Sequence, residues 1–264
     1  MPIEETSVEN LAEYVDWVLT SGGPQVRWFR GQGCAHRKLL PSLWRRTPAL
    51  TTGEVLNVES RLLTRFRQRS LPLWPEGYPQ TDWEHLFAMQ HFGIPTRLLD
   101  WSENALTAAY FAGDHRPELC ECASGSCAPT VWVLDPVEFN RANARFKGYG
   151  DAITVLTTSE STTDPWKPGT EEVVMAPDPV AIYGTHNSTR IAAQQGTFTV
   201  SGKDRTPLEE GVDIQDRAGV LVKITLKSSG ESLLAELSKL GITRSTVYPD
   251  LQGLGADIAK AELP

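Results

Sequence analysis

The sequence predicts an α+β fold: a single domain over 1–264 with a mixed or antiparallel sheet at its core, flanked by helices. The order of segments carries this expectation. It runs helix, strand, helix, helix, strand, helix, several strands and two closing helices, without the strict alternation of a doubly wound sheet. Size and composition agree, since 264 residues with 40% hydrophobic and 22% charged content are ample for one core. A net charge of −8 argues against a non-specific binder of nucleic acid or anionic membrane. No apolar run approaches the roughly 20 residues of a membrane span. The acidic start, Met1-Pro2-Ile3-Glu4-Glu5, lacks a signal peptide's basic and apolar regions, so a cytoplasmic location is expected.

Taken in order, Thr6-Ser7-Val8-Glu9 fits a capping box opening an amphipathic helix over about residues 7–20. Val26 to Arg30 reads as a short strand, with Arg30 on the face of Val26 and Trp28, either aimed into a cleft or solvated. Thr51-Thr52-Gly53-Glu54 is a second capping box, and Val55, Val58, Leu62 and Phe66 form the stripe of a helix ending near Arg69. A Pro- and Trp-rich loop leads to a helix from Thr81 to Phe92. There Gln90 shares the apolar face of Trp83, Leu86 and Phe87. A buried amide must be hydrogen-bonded, so Gln90 is a structural clamp or a site residue.

Gly93 and Pro95 end that helix. Thr96 to Leu99 reads as a buried strand, and the run 104–112 as a helix apolar almost all round. Ser102 is the candidate N-cap, and free amides at such a start favour phosphate. Arg30 or Arg97 would complete an anion site by bidentate contact. The competing reading pairs Asp100 with Arg97 as a buried structural ion pair.

Residues 113–130 form a polar, Pro- and Gly-bearing insertion between two buried elements. His115, Cys120, Cys122 and Cys127 within it leave three readings open: a Cys3His zinc site, a disulfide, or a surface loop. Cys34, near His36, is either a nucleophile or incidental. Val131 to Leu134, Val173 to Met175 and Val180 to Tyr183 are strand candidates, and a turn into a strand is expected across 191–200. Residues 219–227 alternate as a strand. Ser228-Ser229-Gly230-Glu231 caps a helix that Gly241 ends, and a last helix carries Leu251, Leu254 and Ile258 on one face.

Trp28-Phe29-Arg30-Gly31-Gln32, the run Met89 to Ser102, and Ala108 with Tyr110-Phe111-Ala112 resemble the FRG domain, named for its Phe-Arg-Gly motif. Arg190 to Phe198, and Gly241-Ile242 through Val247-Tyr248-Pro249-Asp250-Leu251, agree with it. The family occurs in bacteria and phages, with proposed links to defence or conflict systems. A weaker resemblance is to ADP-ribosyltransferases of the Arg-Ser-Glu kind. It implies that Arg30 holds the NAD phosphates and Ser102 positions the nicotinamide ribose. Gln32, Gln90, His91, Arg97, Asp100, Arg190, Gln194 and Gln195 would then line the pocket. Where that family has its catalytic Glu this chain has Arg190, followed by Gln194 and Gln195. Losing one such stabiliser costs ~10²–10³ in rate, unless Glu171 or Glu172 substitutes. Two functions stay open: an NAD- or nucleotide-using ADP-ribosyltransferase-like enzyme, with Arg30, Ser102 and Gln195 catalytic, and a non-enzymatic module that binds an anionic ligand or a partner.

Overall fold

Eight strands build one mixed sheet: β1 (Glu4–Val8), β2 (Trp28–Gln32), β3 (Leu98–Ser102), β4 (Thr130–Leu134), β5 (Leu156–Thr157), β6 (Val180–Tyr183), β7 (Gly196–Val200) and β8 (Leu221–Leu226). Their spatial order is β1-β8-β4-β2-β3-β7-β6-β5. The pairings are antiparallel except β1 with β8 and β5 with β6. The computed structural model describes residues 3–21, 26–74, 77–114, 127–185, 188–211, 214 and 217–263. The α+β expectation holds, as one mixed sheet drawing strands from both ends of the chain.

The first element differs from expectation. Residues 4–8 pair in parallel with β8, from Glu4↔Val222 to Val8↔Leu226. Helix α1 (Leu11–Thr20) starts later, where the Asn10 side chain accepts from Glu13 N. The Thr6–Glu9 pattern satisfies a local cap, but a ladder along the edge of β8 satisfies more backbone groups, and it wins. Helices α2 (Ser42–Arg46), α3 (Thr52–Ser70) and α4 (Asp82–His91) follow, the last two opened by the capping boxes at Thr51 and Thr81. Gly93, at φ 75°, closes α4 with Ile94 N bonded back to Met89 O at 2.9 Å.

Helix α5 (Ala105–Gly113) lies on β2 and belongs to a core cluster with Phe29, Val131, Val133 and the inward residues of β8. Its alanines permit this only because β2 carries Gly31. A Cβ there would stand 1.9 Å from Ala108 O and 2.6 Å from Ala112 N. The Gly of the Phe-Arg-Gly triplet is thus dictated by a helix backbone touching a strand. Asn104, rather than Ser102, caps α5, and its side chain accepts from Leu106 N and Thr107 N. Those amides are consumed, so this helix start does not offer the phosphate site its sequence suggested.

The remaining helices are α6 (Pro136–Ala142), α7 (Thr189–Ala193), α8 (Gly230–Lys239), α9 (Arg244–Val247) and α10 (Leu251–Glu262). Ser229 alone caps α8, accepting from Ser232 N. Val173 to Met175 is a turn rather than a strand, while Val180 to Tyr183 is β6 as expected. Leu251, Leu254 and Ile258 share a helix face but stay exposed.

Arg97 departs most from its expected role. It is fully buried and does not pair with Asp100. Its Nε donates to Glu59 Oε1 at 2.9 Å, and its two terminal nitrogens donate to Ser201 O at 2.6 Å and Trp166 O at 3.0 Å. Glu59, four residues after Val55 on the inward stripe of α3, supplies the charge that burial of a guanidinium requires.

Removing one partner leaves the other charged and buried. Glu59→Ala is expected to lower stability by about 3–5 kcal/mol, whereas Glu59→Leu with Arg97→Met recovers part of that loss; denaturant midpoints check both. Gly31→Ala should cost about 3 kcal/mol or more, because backbone on both sides must move, and thermal unfolding measures it.

Candidate functional site

The three strands expected to carry the site are neighbours. Phe29 of β2 pairs with Ser102 of β3, and Ser102 pairs with Gly196 of β7. The end of α4 brings Gln90 and His91 to the same place, α7 brings Arg190 and Gln194, and α9 with the residue after it brings Arg244 and Tyr248. Together they line a cavity of about 480 Å³, within the usual range for small-molecule sites.

One wall is a polar chain. Gln90 Nε2 donates to Asp100 Oδ2 at 2.7 Å, while Gln90 Oε1 accepts the Thr96 hydroxyl. Both ends of the amide are therefore used, and Gln90 is a clamp between α4 and β3 that also faces the cleft. Arg30 donates to Asp100 O, and its guanidinium stands 3.8 Å from the Asp100 carboxylate. Burial pulls Arg30 below the ordinary guanidinium range, and Asp100 opposes that shift. The Asp100 side chain is 55% exposed and opens on the cleft.

Ser102 ends β3 and is buried. Its Oγ donates to Gln194 O at 2.6 Å and accepts from Asn104 N at 3.0 Å. With its proton committed, this hydroxyl can only accept from a ligand. Gln194 Nε2 donates to Val247 O at 3.0 Å, tying α7 to α9. Gln32 Oε1 accepts from Trp132 Nε1 at 3.1 Å.

The opposite wall is cationic. The guanidinium carbon of Arg190 lies 4.4 Å from the Tyr248 ring centroid and that of Arg244 lies 5.4 Å from it. The ring thus holds two cations near each other. Asp257 fixes the base of this arrangement, accepting from Arg244 N at 3.2 Å and Ser245 N at 2.8 Å. Among the described residues neither guanidinium meets a carboxylate or a hydrogen-bond acceptor. Arg37 adds another guanidinium to the lining, and the cleft's carboxylates are Asp100 and Asp114. His91 is drawn below the ordinary histidine range, chiefly by burial and then by Arg190, against an upward pull from Asp100.

The cleft therefore gathers Arg30, Gln32, Gln90, His91, Asp100, Ser102, Arg190 and Gln194 as the sequence expected. Arg97 lies outside it, sealed in the core. Gln195 is exposed and is not among the lining residues, at φ 46°, where its carbonyl accepts from Glu103 N. Glu171 and Glu172 lie in an exposed turn, away from the lining. Arg37, Asp114, Arg244 and Tyr248 were missed; the last two fall in the Gly241–Leu251 segment, whose motif gave no role to either. His115, Cys120 and Cys122 lie outside the described residues, and only Cys127 of that set is placed. No described helix is long and apolar enough to cross a membrane.

The FRG domain family model matches residues 25–118. That segment carries β2, α4, β3 and α5, which form one side of the cleft. No curated protein and no solved structure matches the chain.

The environment of His91 gives a direct check. Arg190→Ala should raise the His91 pKa and Asp100→Asn should lower it further, because the two charges act in opposite directions. Imidazole NMR titrations of the three proteins measure both shifts.

Proposed function

We propose that the cleft binds a nucleotide diphosphate, NAD being the concrete candidate, and that the chain is an ADP-ribosyltransferase-like enzyme acting on it. The pair of guanidiniums at Tyr248 supports this reading most. Planar, permanently charged groups that meet no counter-ion among the described residues suit phosphate oxygens, which they contact bidentately. Since both stand against one ring, their separation cannot exceed the sum of 4.4 Å and 5.4 Å. A diphosphate fits between two cations so spaced. In this reading Arg190 and Arg244 hold the phosphates, and Arg30 serves mainly to orient Asp100. Asp100, one of the cleft's two carboxylates and 55% exposed, is offered to a ribose hydroxyl in place of the missing Glu. Bacterial defence or toxin systems are the setting that the family resemblance implies.

A second reading, a non-enzymatic module for a nucleotide or another anionic partner, draws on a specific observation. In the weaker sequence resemblance Arg190 falls where the Arg-Ser-Glu transferases have their catalytic Glu, and Arg30, Arg37, Arg190 and Arg244 all line the cleft.

Incubation with NAD separates the two. An enzyme releases nicotinamide and transfers ADP-ribose to itself or a target, and Asp100→Asn abolishes release while retaining binding. Arg190→Ala and Arg244→Ala should each weaken nucleotide binding roughly 10- to 100-fold, the loss of one charge-assisted contact. Thermal stabilisation by NAD or ADP without nicotinamide release would favour the binding module. No stabilisation by any nucleotide diphosphate would defeat the enzyme reading and the nucleotide-binding form of the module.

A further inference from the structure

The ends of α3 and α4 meet in a group of rings that the cleft does not include. Phe66 of α3 lies 6.5 Å from Trp74 and 6.4 Å from Phe92, centroid to centroid, and Trp74 lies 6.0 Å from Phe92. Phe92 also stands 4.7 Å from the ring of His91, so the group is continuous with the cleft wall. These side chains are not core. Phe92 is 62% exposed, and Leu71 and Leu73, in the turn that leads from α3 to Trp74, are 59% and 79% exposed. Large apolar side chains gathered on a surface mark contact with another molecule.

The bordering charges identify the kind of molecule. Arg61, Arg65 and Arg69 recur every four residues along one stripe of α3, and Arg69 also follows Phe66 by three, so the stripe flanks the rings. All three are exposed, and among the described residues none of their side chains meets a carboxylate or another acceptor. Arg67, turned the other way on the same helix, pairs with Asp82. Like charges four residues apart destabilise a helix, and no described contact offsets that here. Inside the ring group, Trp74 Nε1 is a buried donor without an acceptor among the described residues.

We propose that this surface docks an acidic, leucine-bearing segment of a partner protein. Its carboxylates lie on the Arg61–Arg65–Arg69 stripe and its apolar side chains on Phe92, Leu71 and Leu73. Both halves of the description are needed, since carboxylates alone leave the exposed leucines uncovered and apolar side chains alone leave the guanidiniums unpaired. A single strand of nucleic acid fits less well. It binds by stacking bases on open aromatic faces, whereas Phe66 and Trp74 are half-buried and turned edge to face, and leucine has no face to stack on. A partner seated here lies beside the cleft, one residue from His91.

Fluorescence anisotropy on the full chain, with a labelled peptide of alternating Glu and Leu, tests the assignment. That peptide is expected to bind more tightly than versions with Lys for Glu or Ser for Leu, and more weakly as salt is raised. Arg65→Glu with Arg69→Glu, and separately Phe92→Ser, should each weaken it roughly 10-fold or more; should Phe92→Ser fail to fold, the charge reversal decides. Thermal stabilisation by NAD is expected to be the same in these variants as in wild type, so failure at this surface and failure of the nucleotide reading are told apart. Equal binding of the Lys peptide, or unchanged binding in the folded variants, would overturn the proposal. So would tighter binding of oligothymidylate that the same variants abolish, or a dimer in light scattering that Phe92→Ser dissolves.

Discussion

A guanidinium without water sits at the root of this architecture. Burying Arg97 is costly in isolation, and the fold meets that cost with one carboxylate and two backbone carbonyls from three separate segments. Arg97 immediately precedes β3, so fastening it fixes where the strand begins and which side chains point each way. A slip of one residue would turn Asp100 and Ser102 to the wrong faces. The cleft is therefore specified by an ion pair that does not touch it.

Polar residues around the cleft divide into two groups by what they still have to offer. Gln32, Gln90, Ser102 and Gln194 are engaged with their neighbours, joining α4 to β3, β3 to α7 and α7 to α9. They set geometry. Arg190 and Arg244 are held by an aromatic face, which orients a cation without neutralising it. On the proposed reading binding free energy is concentrated in the second group, because among the described residues its members surrender no internal hydrogen bond to a ligand.

Most of the fold was legible wherever a local pattern and the tertiary demand agreed. The Thr51 box, the alternation along β8 and the apolar helix after β3 all stand as their residues suggested. The failures have a common cause. Residues 4–8 carry a good helix cap, but a strand edge elsewhere in the chain claimed them. Ser102 resembled a cap because Asn104, two residues later, could not be distinguished from it by type. The site was legible along the FRG motif, where β2 and β3 meet. It was not legible at Arg244 and Tyr248, whose place beside Arg190 arises from the docking of α9 on α7. Arg97 misled for the reverse reason, since its acceptors stand 38, 69 and 104 positions away.

The crowding of guanidiniums into one recess has a consequence for which anions can arrive. The whole chain carries −8, and with the arginines of the cleft set aside the remainder is more acidic still. Fields from exposed charges fade over about 8 Å at physiological ionic strength, so the attraction is felt only near the mouth of the recess. A compact ligand can pass inside that boundary entire. A long polyanion would leave part of itself outside, facing a protein whose net charge is −8. On the proposed reading the arrangement would act as a size filter for negative charge, favouring a dinucleotide over a nucleic acid strand.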